Sequence, residues 1–247
     1  AWLVRDVKAA IEASIGVPAV QQRLLFGSTE LRDADSTPAS KVAGQAAELT
    51  FLRRSPEQVK WLAEVEANWT RFLDAPPRIR ADREVVTAAV RQQGSVLRYA
   101  AKELLADRRV VLAAVGSEGD ALQHAAEELK GDREVVMSAV QRSGRALGHA
   151  LPAARADREV VRLAVHQHGP ALQWASEELR ADRDLVLAAV GADGKLLRYA
   201  SDRLRADPEV VAAAVRENPK AYRLAARSAR LDAKVLEAMG LDPDSED

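Results

Sequence analysis

Four histidines, His124, His149, His166 and His168, are the imidazole bases that this sequence offers. His166 and His168 are spaced like a metal-binding pair, yet residues two apart on a helix point to different faces. No third ligand recurs beside them. No glycine-rich phosphate loop, G-x-S-x-G elbow or H-E-x-x-H helix occurs either. The absence of cysteine removes thiol nucleophiles, disulfides and thiolate-held metals. No catalytic, cofactor-binding or metal-ligating residues are therefore assigned, and the expectation is a protein that is not an enzyme.

What recurs is chemistry suited to recognition. Tyr99, His124, His149, Trp174, Tyr199 and Leu224 each stand 17 residues after an aspartate. The position lies two residues past a core leucine, so it points off the core stripe and stacks into a ladder if the units stack. Part-exposed rings of this kind anchor protein interfaces; the competing reading makes them lids over the core between adjacent units. Arginines form a second row directly after the aspartate: Arg83, Arg108, Arg133, Arg158 and Arg183. A third row stands two residues before it: Arg80, Lys130, Arg155, Arg180, Arg205 and Arg230. Such rows suit phosphates, but residues 82–241 hold 25 basic against 23 acidic side chains. A solvated, salt-bridged face is the expected state, ahead of a nucleic-acid groove or a site for an acidic protein.

These rows follow from one repeat. Asp82, Asp107, Asp132, Asp157, Asp182, Asp207 and Asp232 are spaced by 25 residues. Behind each runs D-R-E-V-V-x-x-A-V-x-x-x-G-x-x-L-x-x-A-x-x-x-L or a close variant. The aspartate suits a helix N-cap. Val85, Val86, Ala89 and Val90 form one helical face. Gly94 suits a helix end with positive φ, and Leu97, Ala100 and Leu104 mark a second helix. The spacing predicts helical hairpins stacked into an α-solenoid. Pro77 and Pro152 predict, in their units at least, a short helix, a break and one further helical turn.

The order of segments follows. Residues 1–54 form a head, 55–81 a helical linker and half-unit cap, 82–231 six repeats, 232–241 a last half-unit and 242–247 an acidic tail. In the cap, Ser55-Pro56-Glu57 reads as a helix start, with Trp61, Val65, Trp69 and Phe72 on one face. The repeat resembles the tandem helical repeats of the DUF4116 family, a resemblance that implies a fold and supplies no activity. In the head, Val7-Lys8-Ala9-Ala10-Ile11 reads as a helix that Gly16-Val17-Pro18 stops. The strand runs Gln21-Gln22-Arg23-Leu24-Leu25-Phe26 and Glu48-Leu49-Thr50-Phe51-Leu52-Arg53 follow, with Leu31-Arg32-Asp33 between them. This order resembles ubiquitin-like domains of the β-grasp type, without their first β-hairpin. The resemblance implies that Leu25 and Leu52 belong to an apolar docking patch on the sheet; the alternative is that the attached helix covers that face. Arg53-Arg54-Ser55 stands where conjugation chemistry needs a terminal Gly-Gly, so conjugation of the head is not expected.

The fold class is thus mainly α with a small α+β head: a partial β-grasp followed by a solenoid of 25-residue helical hairpins. The net charge of −1 gives no field for nucleic acid or anionic membrane, and no apolar run approaches the ~20 residues of a membrane span. The opening Ala1-Trp2-Leu3-Val4-Arg5-Asp6 lacks the pattern of a signal peptide, which leaves the compartment open: cytoplasmic by default, or organellar as a peripheral subunit. The expected partners are other proteins of a larger complex, in a scaffold or accessory role. A ubiquitin-pathway adaptor is the alternative, and a nucleic-acid-binding solenoid the remote one.

Overall fold

The structure, a computed structural model, describes residues 3–26, 29–31 and 49–241. Trp2, Arg32, Asp33 and the acidic tail 242–247 lie outside the described residues. The chain divides into two compact units, Ala1–Val85 and Val86–Asp247.

The first unit opens with helix α1, Val4–Ile15. It ends where Gly16 turns left-handed at φ 67° and donates its N–H to the Glu12 carbonyl, a conformation glycine adopts without a Cβ penalty. A 3₁₀ turn, Ala19–Gln21, leads into strand β1, Gln22–Phe26, with β2 at Thr29–Leu31 and β3 at Leu49–Arg53. The sheet is antiparallel in the order β2-β1-β3. Leu24 stands opposite both Leu31 and Phe51, and all three pack with Val4, Val7 and Ile11 of α1. Alternation along the strands puts Arg23, Leu25, Thr50 and Leu52 on the opposite face. Gln22 is fully buried and donates its amide to the Lys8 and Val17 carbonyls, both at 2.8 Å, tying α1 to β1.

Helix α2, Pro56–Ala67, starts at Ser55, whose hydroxyl accepts the Gln58 amide at 3.1 Å. The helix stops before Trp69, so Trp61, Val65, Trp69 and Phe72 do not share one continuous helix as expected. Trp69–Asp74 is 3₁₀ and Pro77–Arg80 is a further helical turn. Val65 and Phe72 are fully buried.

The repeats build three pieces each. Ten-residue helices run over α3 (Arg83–Gln92), α4 (Arg108–Ser117), α5 (Arg133–Arg142), α6 (Arg158–Gln167), α7 (Arg183–Ala192) and α8 (Pro208–Glu217). The shorter α9, Ala233–Ala238, closes the series. After each of α3 to α8 comes a six-residue 3₁₀ helix, such as Gly144–His149 after α5, then a four-residue helical turn, such as Pro152–Arg155. Each aspartate caps its helix; Asp157, for example, accepts the amides of Glu159 and Val160 at 2.9 and 3.1 Å. The core is the helix stripe plus the 3₁₀ leucine: Val135, Val136, Ala139, Val140 and Leu147 are all at 0% exposure.

Two expectations are corrected. The break expected at least in the units of Pro77 and Pro152 is present there and in every other repeat, so the expected two-helix hairpin does not form. Ala150 and its equivalents adopt an extended conformation (φ −73°, ψ 155° at Ala150). The next N–H is thereby turned sideways to the preceding repeat: Leu151 donates to Lys130 O and Ser176 to Arg155 O, each at 2.9 Å. The unit is a helix, a 3₁₀ helix and a turn, rather than a two-helix hairpin. The repeat glycines also have another role than the one expected, since positive φ among the described glycines occurs only at Gly16 and Gly240. A Cβ at Gly119 would lie 2.3 Å from the Ala139 carbonyl oxygen of the next repeat. Close approach of two backbones excludes the side chain there.

Candidate functional site

The ring-bearing row lies at the end of each 3₁₀ helix. Tyr99, His124, His149, Trp174, Tyr199 and Leu224 are all half-buried. Each side chain is partly covered by its own fold and partly open to solvent. Trp174 lies against the preceding repeat, where a Cβ on Gly148 would come 2.9 Å from its indole. It also stacks on His168 with centroids 6.4 Å apart. The Arg98 guanidinium sits 4.6 Å from the Tyr99 ring centroid and donates to its hydroxyl at 2.6 Å. Arg198 stands 6.0 Å from the Tyr199 ring. Burial lowers the pKa of both His124 and His149; Arg98 adds to the effect at His124, and Lys130 at both. Both imidazoles are thus held neutral at physiological pH, so the middle of the ladder is polar without charge.

The arginine row after each aspartate serves the fold. Arg108 pairs with Asp132 and Glu134, and Arg133 with Asp157 and Glu159. Arg158 pairs with Asp182 and Asp184, and Arg183 with Asp207 and Glu209. Every pair joins one repeat to the cap of the next. Arg83 occupies the same register at the head of the series. These guanidinium groups are thus held by carboxylates of the neighbouring repeat.

The row before each aspartate turns inward too. Arg155 donates to the Gly148 carbonyl at 2.7 Å. Arg230 donates to the Ala225 and Arg223 carbonyls at 3.0 and 2.7 Å, and Arg80 does the same to Ala75 and Leu73 at 2.8 and 3.0 Å. These side chains satisfy carbonyls orphaned where the 3₁₀ helix ends. Lys130 and Arg205 pair instead with Glu127 and Asp202. The sequence offered charge spacing but no sign of these carbonyl partners.

In the head, Leu52 is 43% exposed while Leu25 is half-buried. They lie on the sheet face away from α1, where Arg23 pairs with Glu84 at 2.7 Å. Arg54 reaches the same carboxylate at 2.8 Å. His166 is exposed, and His168 is taken up against Trp174. Among the described residues no three His, Asp or Glu side chains converge as metal ligands.

The repeats also match a known family. The family model described as "Domain of unknown function (DUF4116)" matches residues 65–105, 107–152, 157–195 and 182–227. The chain belongs to the DUF4116 family. The DUF4116 repeats cover more than half of the chain, and the ring-bearing row and the arginines after each aspartate lie within them. No curated protein and no solved structure matches the chain. Among the described residues no helix is long and apolar enough to cross a membrane.

Proposed function

We propose that this DUF4116 protein is a non-catalytic scaffold, a peripheral or accessory subunit that binds other proteins of a larger assembly through its repeats. The half-buried ladder of Tyr99, His124, His149, Trp174 and Tyr199 carries this reading. Rings that are held in place by their own fold yet keep a solvent-facing edge lose little entropy on binding. Arg108, Arg133, Arg158 and Arg183, by contrast, are committed to ion pairs between repeats, and Arg80, Arg155 and Arg230 to backbone carbonyls, so they frame the ladder rather than dock a ligand. Native purification with mass spectrometry of the bound proteins, on the wild type and on Tyr199→Ala, tests the reading. A specific partner set lost from the variant supports it.

The second reading is an adaptor whose ubiquitin-like head docks transiently on ubiquitin-binding partners. The exposed Leu52 beside Leu25 favours it, and the order β2-β1-β3 behind a packed helix is compatible with a β-grasp lacking its first hairpin. Leu25→Asp with Leu52→Asp separates the two. Loss of ubiquitin-receptor binding alone favours the adaptor; loss of assembly favours the fixed subunit. Two sites on one chain would raise effective affinity even where each contact is weak.

A further inference from the structure

The solenoid packs evenly at every joint but one. At Gly94, Gly119, Gly144 and Gly194 a Cβ would meet the backbone carbonyl of the next repeat at 2.1–2.4 Å. At Gly169 the three nearest atoms all belong to the Leu196 side chain, the first being Cδ1 at 2.4 Å. Gly169 is half-exposed, whereas the other four are buried. The same joint exposes residues sealed elsewhere. Val165 is 7% exposed against 0% for Val115, Val140, Val190 and Val215, and Leu185 is 5% exposed against 0% for Val110, Val135, Val160 and Val210.

The cause is in the sequence. Four repeats carry Ala121, Ala146, Ala171 and Ala221 where this one carries Leu196, and Leu185 replaces the valine of the other repeats. The added methylenes wedge α6 and α7 apart toward their C-terminal ends. The joint stays pinned elsewhere by Arg158 on Asp182 at 2.9 Å and by the Ser201 amide on Arg180 O at 2.9 Å.

The wedge opens a cleft of about 450 Å³, walled by Val165, Leu185, Ala188, Ala192 and Leu196. Arg162 and His166 line its α6 side. Arg162 is exposed and makes no ion pair among the described residues, unlike the arginines of the inter-repeat row. The α7 side carries no charge from Leu185 to Ala192; Asp193, just past the helix, also lines the cleft, its carboxylate engaged by the Lys195 amide at 2.9 Å. Apolar walls with a few polar groups, here Arg162, His166 and Asp193, are the usual make-up of a specific site of this size.

We propose that this cleft receives one bulky apolar side chain of a partner protein segment, with a neighbouring carboxylate of that segment paired to Arg162. The proposal rests on the interaction reading above and names a contact separate from the ladder. Nucleic acid is disfavoured because the cleft is apolar and offers a single unpaired guanidinium, too little for a backbone of phosphates.

The test uses the full chain as bait for a random displayed peptide library, with a single-stranded RNA pool in parallel. The expected enrichment is a Leu, Phe or Trp beside an Asp or Glu. A synthetic peptide of that consensus should bind Ala192→Trp, which fills the cleft from an exposed position, at least tenfold more weakly. Arg162→Glu should weaken it severalfold, and both variants should melt like the wild type. Equal binding by Ala192→Trp, or RNA binding that this variant abolishes, overturns the cleft. A consensus lost in Tyr199→Ala but kept in Ala192→Trp also overturns it, while leaving the ladder reading intact.

Discussion

The Arg158 guanidinium reaches the Asp182 carboxylate of the next repeat at 2.9 Å, and that carboxylate also accepts the Leu185 amide at 2.9 Å. One aspartate therefore caps a helix and fastens two repeats. Asp182→Ala removes both functions and should cost about 1–2 kcal/mol. Arg158→Ala removes only the pair; with Arg158 56% exposed, its denaturation midpoint should stay much nearer the wild type's than that of Asp182→Ala. Urea melts of the two variants separate cap from staple.

Acid should act on this fold in two stages. His124 and His149 are lowered by burial below the ordinary 6.5. Their contribution is present above that value and is lost as pH falls through the lowered folded values. Asp132 is lowered by its bond to Arg108, and Asp182 by its bond to Arg158, from the ordinary 3.8. At Asp157 burial pulls upward, but Arg133 and the Val160 and Glu159 amides outweigh it. The aspartate contribution is complete above 3.8 and disappears as pH drops through the lowered values. Thermal melts across this range should show both losses, and His124→Gln with His149→Gln should erase only the first.

The repeat glycines should not be equivalent. Gly119→Ala drives a Cβ against the Ala139 carbonyl oxygen, and rigid backbone must move, at a cost of about 1–3 kcal/mol or more. Gly169→Ala meets only the end of Leu196, a side chain that can rotate away. Denaturant midpoints should therefore fall much further for Gly119→Ala.

Leu52 in the head is exposed, so Leu52→Asp should leave the fold within about 0.5 kcal/mol of the wild type. Leu24→Ala, by contrast, removes a side chain 2% exposed at the centre of the head and should cost about 2–5 kcal/mol. Hydrogen exchange in α1 reads the difference.

The period of 25 residues and the capping role of each aspartate were legible because each follows from local chemistry: a carboxylate before a valine stripe has few other uses. The 3₁₀ segment and the break after it were legible only at Pro77 and Pro152. Elsewhere the break is held by a backbone bond to the preceding repeat, such as Ser201 N–H to Arg180 O, and no side chain announces it. The glycines misled for the same reason, since crowding by Ala139 or Ala164 of another repeat leaves no local mark. The ladder positions were legible as a register, but their half-burial depends on neighbours such as Gly148 beneath Trp174.

The ladder is the centre of this account. Its most direct test is quantitative mass spectrometry of proteins retained by the full chain and by a Tyr99→Ala, Tyr199→Ala double variant of equal melting temperature. Loss of an interface anchor of at least ~2 kcal/mol corresponds to about thirtyfold in affinity. The account predicts a specific partner set that falls at least tenfold in the variant. The same partners at the same level on both proteins would contradict it.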